Sequence, residues 1–531
     1  MRPAARSEYC APSNPPARTL ASAPCRFKRH AGLTPLSRQA RMRPIRQGAR
    51  PMSLIDSFAR AAARRPEKIA LITERSQLSF DDILQLVQIF DMQLRTHGLD
   101  AGKTVVLASA RAEFILVMTL VASLRGYRLS FVSTGLDQNG PLTPDLVLVE
   151  EVQPGHDTAR QLQISPDWFA LMGTRPSPDY TGRGGGALFI FGSSGSTGKR
   201  KLVQSTEASR EETIRLTRSL PGVDMSQRRY LSTLSPKNGM AVTSNLAVLL
   251  AGGSIVSLQP QSPSLLPYID LYRVDTIGST PGMVAKLLGE ENAAQYLQGV
   301  RDMRFGGALT SAALLRSLSE ICPARLHFGY GAAEIGTCFD MIYDPANPPP
   351  EGYVGRPARS DLEVAFFDDA GQILPDATEG LIGLRLTGGS GRSYLEAGQA
   401  TSGPSAGFND GYFLPGDYMR RDGEDYFLLG RAKNIINFSG NKYALEAIQS
   451  KLAEQAPDTG FAPLVDIGAD GLERLCLIYS GPQELPKPQV EAFFDQAFPG
   501  VQITRLLRLD SLPMTESGKI DMQALRAAHL G

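Results

Sequence analysis

The chain has 531 residues, 42% of them apolar and 21% charged, which excludes both a single small core and a disordered polymer and sets two or three globular domains as the expectation. Its net charge of +1 hides a split. Residues 1–51 carry eleven Lys or Arg and one acid, Glu8, leaving 44 basic and 53 acidic residues in the rest; that acidic body offers no basic face for nucleic acid.

The leader, rich in Arg, Pro, Ala and Ser, fits an organelle transit peptide, a basic arm for an anionic surface, or an upstream extension with the folded protein starting at Met52. The last is preferred, because Ser53-Leu-Ile-Asp-Ser-Phe58 opens an ordinary helix. With too little apolar content to join a core, residues 1–51 are expected to be disordered. A chain starting at Met52 should therefore stay soluble and active; loss of either, with the full chain active, overturns this. Cys10 and Cys25 lie in the leader, and Cys322, Cys338 and Cys476 are too far apart for a metal-ligand pattern. They suit a reducing compartment, and a cytoplasmic location is expected. The longest apolar runs, 114–124 and 245–258, are too short, or too broken by Gly252-Gly253, to span a bilayer.

In chain order, 80–98 reads as a helix, 104–108 as a strand and 114–124 as a helix. Residues 133–186, rich in Pro and Gly, read as loop. From 187 to about 334 β-like runs alternate with helical ones: strands at 230–234, 254–258, 276–279, 303–305 and 325–328, helices at 242–250, 265–272, 282–288 and 312–321. Such alternation predicts a mainly parallel sheet with helices on both faces. After Gly352 short strands such as 362–367 and 383–386 suggest a β-rich subdomain. The final unit, from about Arg431, reads strand, helix 444–456, strand 475–479, helix 488–497, strand and a polar loop ending at Gly518-Lys519. The fold class is thus α/β, with a large domain at 52–431 and a small, mobile α+β domain at 432–531.

The most informative stretch follows the apolar run Ala187-Leu-Phe-Ile-Phe191. Ser193-Ser194-Gly195-Ser196-Thr197-Gly198-Lys199-Arg200-Lys201 gathers backbone N–H groups, hydroxyls and ammonium charges on one anion, which is how a protein holds polyphosphate, although a polar turn between strand and helix would look similar. The P-loop pattern fails here. Ser193 stands where its first Gly belongs, and Arg200 where its magnesium-binding hydroxyl belongs. The segment instead resembles the phosphate loop of the adenylate-forming superfamily, which includes acyl-CoA synthetases, firefly luciferase and peptide-synthetase adenylation domains.

Four further stretches, in the superfamily's order, carry the same resemblance. His327-Phe-Gly-Tyr330-Gly331-Ala332-Ala333-Glu334 resembles the Tyr-Gly-x-Thr-Glu motif, which implies Tyr330 stacked on adenine and Glu334 as the magnesium ligand; Ala333 replaces the usual Thr. Gly411-Tyr-Phe-Leu-Pro-Gly-Asp417 implies Asp417 on the ribose hydroxyls. Gly430-Arg431-Ala-Lys433-Asn434 implies Arg431 on the ribose and Lys433 as the hinge between domains, with Asn434 in place of Asp and Leu445 in place of a Pro. Leu512-Pro-Met-Thr-Glu-Ser-Gly-Lys519 implies Lys519 as the mobile catalytic lysine, with Lys201 on the outer phosphates. Phe305-Gly306-Gly307-Ala308 resembles the adenine-side loop.

The resemblance implies ATP, Mg2+ and coenzyme A as cofactors, a carboxylic acid as substrate, and adenylation followed by transfer to a thiol. Coenzyme A is the leading acceptor, with a place in fatty acid metabolism and room for a homodimer; a carrier protein's phosphopantetheine is the rival, and a degenerate nucleotide-binding protein the third alternative. Lys442 and Arg474 are the side chains expected to pair with coenzyme A phosphates. For the acyl pocket the sequence offers Asn238 and Gly239, where amino-acid-activating domains place an Asp, so an α-amino acid is disfavoured. His327 is either a pocket residue or a buried wall residue with its partners satisfied.

Overall fold

The computed structural model describes residues 52–132, 142–152, 160–171, 180, 182–193, 201–219, 223–258, 264–307, 310, 312–396, 399–401, 408–438, 441–467, 473–515 and 519–530. The basic leader, the loop residues Ser194, Gly195, Ser196, Thr197 and Gly198, and Ala308 lie outside them. Residues 51–531 belong to one unit.

The expected alternation produces a parallel sheet ordered Ile69–Ile72, Ser254–Val256, Arg229–Ser232, Thr276–Ser279, Asp302–Gly306 and Arg325–Ala332. Its strands read as nearly continuous apolar runs because both faces are covered. One face packs Leu231, Ile277, Met303 and Phe305 against Val284, Leu287, Leu315 and Leu318 of its helices. After Ala332 the chain turns back as an antiparallel strand, Gly336–Tyr343, and the sheet continues antiparallel through Tyr353–Pro357, Asp425–Arg431 and Asp417–Asp422. This brings Asp417 and Arg431, distant in sequence, to the edge where Tyr330 sits.

A second sheet runs Gln161–Gln163, Leu146–Val149, Thr104–Leu107, Arg128–Ser130 and Leu188–Ser193 in parallel, then Lys201–Thr206 and Arg392–Glu396 antiparallel. Two of these strands and the 3-10 turn Pro166–Phe169 fall in the segment read as loop. Each strand is only three or four residues long and draws its order from neighbours across the sheet, which no local pattern records. The helix Ala112–Arg125 between the sheets is apolar all round, is buried from Glu113 to Ser123, and ends at Gly126 with φ 69°.

The C-terminal segment pairs Gly460–Ile467 antiparallel with Glu473–Ser480, which runs parallel to Ile503–Arg508. One face packs Ile448, Leu452, Phe494 and Phe498; the other buries Leu525 of Met522–His529. Before it, the hairpin Ile435–Phe438 with Asn441–Ala444 follows the 3-10 turn Ala432–Asn434 that carries Lys433.

Candidate active site

Asp417 opens its strand with 3% exposure, and burial pushes its carboxyl above the ordinary range. Tyr330 Oη donates to its Oδ2 at 2.5 Å, and Arg431 Nε stands 3.1 Å from its Oδ1. That Oδ1 is buried yet accepts no well-aligned hydrogen bond among the described residues. A buried carboxylate oxygen left in this state suits a ligand hydroxyl. Burial also raises the Tyr330 phenol well above its usual pKa, with the Asp417 carboxylate adding to the effect.

Lys519 completes this corner. Its hairpin is closed by Thr515 N donating to Lys519 O at 2.7 Å and Lys519 N donating to Thr515 Oγ1 at 3.2 Å. The side chain reaches Gly307: a Cβ there would lie 3.9 Å from both Cε and Nζ. Burial holds the ammonium pKa down, Arg431 lowers it further, and Asp417 works the other way. Tyr330, Asp417, Arg431, Gly307 and Lys519, drawn from five separate stretches of the chain, therefore meet in one place.

A second cluster holds Glu334, 7% exposed, whose Oε1 accepts from Tyr394 Oη at 2.6 Å. Lys201 Nζ lies 4.8 Å from the centre of the Tyr394 ring. Lys201 and Tyr394 come together because Arg392–Glu396 pairs with Lys201–Thr206 across the sheet. Glu334 and Lys201 thus both meet Tyr394, and a carboxylate in this position is the donor type a hard cation takes. Among the described residues there is no cluster of three or more His, Cys, Asp or Glu that could hold a metal ion.

The family model described as AMP-binding enzyme matches residues 145–394. Enterobactin synthase component E of Escherichia coli (strain K12) is 27% identical over 522 residues, spanning 90% of this chain and 94% of that protein. The vibriobactin-specific 2,3-dihydroxybenzoate-AMP ligase of Vibrio cholerae serotype O1 (strain ATCC 39315 / El Tor Inaba N16961) is 24% identical, spanning 89% and 93%. The crystal structure of the anthranilate CoA ligase AuaEII with anthranoyl-AMP superposes with a TM-score of 0.75 at 18% identity, over 90% of this chain and 97% of that one. The chain belongs to the adenylate-forming superfamily.

As a member of that superfamily it activates a carboxylic acid with ATP. Neither relative is named for a fatty acid, so the expected place in fatty acid metabolism draws no support from them. No helix among the described residues is long and apolar enough to cross a membrane.

Two residues of this candidate site had no sequence signal of their own. Tyr394 is one; Arg392 is the other. Arg392 is buried, and its guanidinium donates to Ala333 O at 2.8 Å, Ser209 Oγ at 3.0 Å and Thr213 Oγ1 at 2.6 Å, which holds the turn before Glu334 in place. Burial lowers its pKa to about 10. Both lie sixty residues beyond the motif they support, in a stretch with no glycine-lysine or carboxylate pattern.

His327 resolves toward the wall reading. It is 4% exposed, and its Nε2 is 3.1 Å from Asp302 Oδ1, in a cluster where Asp302 also meets Arg228 at 2.6 Å and Arg325 at 2.8 Å. The ring occupies the first half of its strand, while Tyr330 is at the ligand end, so the structure does not join His327 to the Tyr330 group. Asn238 caps the helix Gly239–Ala251 through its Oδ1, which accepts from Met240 N at 2.9 Å. A Cβ on Gly239 would touch the Phe191 ring at 3.3 Å, and Phe191 stacks on Phe131 at 4.4 Å and 8°. Next to the hinge expected at Lys433, Asn434 Nδ2 donates to Glu446 Oε1 at 2.6 Å.

Replacing Asp417 with Asn tests the nucleotide corner. A carboxyl whose folded pKa is raised by burial costs stability once the pH exceeds its unfolded value, so the neutral amide should leave the melting temperature at pH 7 unchanged or higher. The KM for ATP should rise about tenfold or more, from a lost hydrogen bond to a charged acceptor. An unchanged KM removes Asp417 from the site.

Proposed function

We propose that this chain activates an aromatic carboxylic acid as its adenylate and hands the acyl group to the phosphopantetheine thiol of a carrier protein in preference to coenzyme A. The observation that supports the first half is the approach of Lys519 to Gly307 in the field of Asp417 and Arg431; on this reading the ammonium acts where carboxylate and phosphate meet. Two anions approach each other in this step; the carboxylate oxygen bonds to the α-phosphorus as the bond to pyrophosphate breaks. Lys519, Lys201 and the phosphate loop oppose that repulsion; Glu334 would hold a Mg2+ ion, which would supply charge neutralisation on the phosphates. No general base is required.

The acyl half of the proposal rests on kinship. One relative is named for 2,3-dihydroxybenzoate, and another is a component of a multi-part synthase, which favours a protein acceptor. Arg474, one of the two residues expected to greet coenzyme A, lies opposite the acidic Asp466 in the sheet register. For the thiol step the sulfur attacks the adenylate carbonyl and AMP leaves with the electron pair of the broken C–O bond. Lys519 would move out of the way as residues 432–531 turn about Lys433.

The test has two stages. Pyrophosphate exchange over aromatic, aliphatic and amino acids should select an aromatic acid; selection of an aliphatic or amino acid overturns that part. With the selected acid, thioester formation should be at least about tenfold faster on a holo carrier protein than on coenzyme A, in line with a docking surface adding binding energy beyond the thiol itself. Faster transfer to coenzyme A restores the acceptor expected from sequence.

A further inference from the structure

Arg304 lies in the strand Asp302–Gly306, paired with Gly278 in parallel register and two residues before Gly306. Residues two apart on a strand, and residues paired across parallel strands, project from one face. Here that face is the one under the helix Gly239–Ala251. A Cβ on Gly306 would stand 3.0 Å from Met240 Sδ, and the Tyr230 hydroxyl fills the space where a Gly278 Cβ would project while it contacts Ser244 of the same helix. Arg304 therefore sits between the sheet and the helix start, in the region bounded by Asn238 and Gly239 where the acid's side chain would lie.

Among the described residues the Arg304 guanidinium has no carboxylate within ion-pair distance and makes no hydrogen bond. Arg304 is half-buried, and desolvation holds its pKa below the ordinary value. The acidic groups that face it are Tyr230, Asp340 and Asp302. Asp302 is already engaged by Arg228, Arg325 and His327, and Asp340, whose carboxyl burial pushes up, faces Arg304 without coming within ion-pair distance. A half-buried cation that makes no ion pair can receive an anionic group of a bound ligand.

We propose that Arg304 is a specificity-determining residue that receives a second carboxylate of the acid, at the end remote from the carboxylate being activated. This rests on the reading of the chain as an acid-activating enzyme and narrows its substrate class to dicarboxylic acids.

Matched pairs in the pyrophosphate-exchange assay on the full chain test it: terephthalate against 4-nitrobenzoate, and adipate against hexanoate. In at least one pair the charged member should be preferred, and Arg304→Met should lower the charged-to-neutral ratio of kcat/KM by about 100-fold or more, the scale of leaving a buried charge-assisted contact unmade. The melting temperature of Arg304→Met without acid should be unchanged or higher, because the lost charge had no partner; a residue serving only the fold would lower it. Preference for the neutral member in both pairs, or an unchanged ratio in the variant, overturns the inference. If only the aliphatic pair behaves as expected, the inference stands and the aromatic reading falls. If aromatic acids are activated without charge preference, the reverse holds, and exchange with neither pair overturns both.

Discussion

Replacing Lys519 with Ala is expected to slow acyl-adenylate formation by about two to four orders of magnitude, the scale of losing a strong transition-state contact. The ammonium stands against Gly307 and within the field of Asp417 and Arg431, so its contribution belongs to the moment when carboxylate and phosphate meet. Thioester formation from a synthetic acyl-adenylate should be nearly unchanged if the C-terminal segment turns Lys519 away for that step. ATP affinity should change little, since Tyr330 and Asp417 are bonded to each other independently of Lys519. Measuring both half-reactions on one variant is decisive: a common loss, or no loss, removes the two-conformation mechanism. The wild-type rate should also decline with rising pH earlier than an ordinary lysine would dictate, because burial lowers this ammonium's pKa and the protonated form is the one that acts.

Gly331→Ala should have the second largest effect, through backbone geometry alone. Gly331 pairs with Thr337 where the hairpin turns, and a Cβ there would stand 2.0 Å from Gly336 O, 2.8 Å from Gly336 C and 2.9 Å from Thr337 Cα. All three are backbone atoms of the facing strand and have no rotamer to yield. The two arms must separate, and they carry Tyr330 on one side and the turn with Glu334 on the other. Overpacking of this kind costs about 1–3 kcal/mol, and a displacement of about 1 Å at a reacting site costs about 100-fold in rate. The variant should therefore melt earlier and lose about two orders of magnitude in kcat/KM. Gly299→Ala, whose Cβ would meet nothing within 4 Å, is the control and should match the parent. Parent-like kinetics in Gly331→Ala would show that the hairpin does not position the site.

The amino-acid sequence by itself determined much of this protein. The regular alternation from 187 to 334 specified the parallel sheet, because buried strands and amphipathic helices leave periods of two and 3.6 that need no distant partner to be read. The motif residues Tyr330, Glu334, Asp417, Arg431 and Lys519 were legible for a similar reason: each comes with turn-forming glycines or prolines next to it, so the local chemistry and the local backbone are written together. Only the tertiary structure decided which of them meet. It put Asp417 and Arg431 beside Tyr330 through the antiparallel extension of the first sheet, and Tyr394 on Glu334 through a strand pairing between residues about 190 positions apart. It also gave His327 a partner in Asp302, and left Arg304 with no ion pair among the described residues. Pairing register and charge balance are properties of neighbours brought together by folding, so no window of sequence contains them.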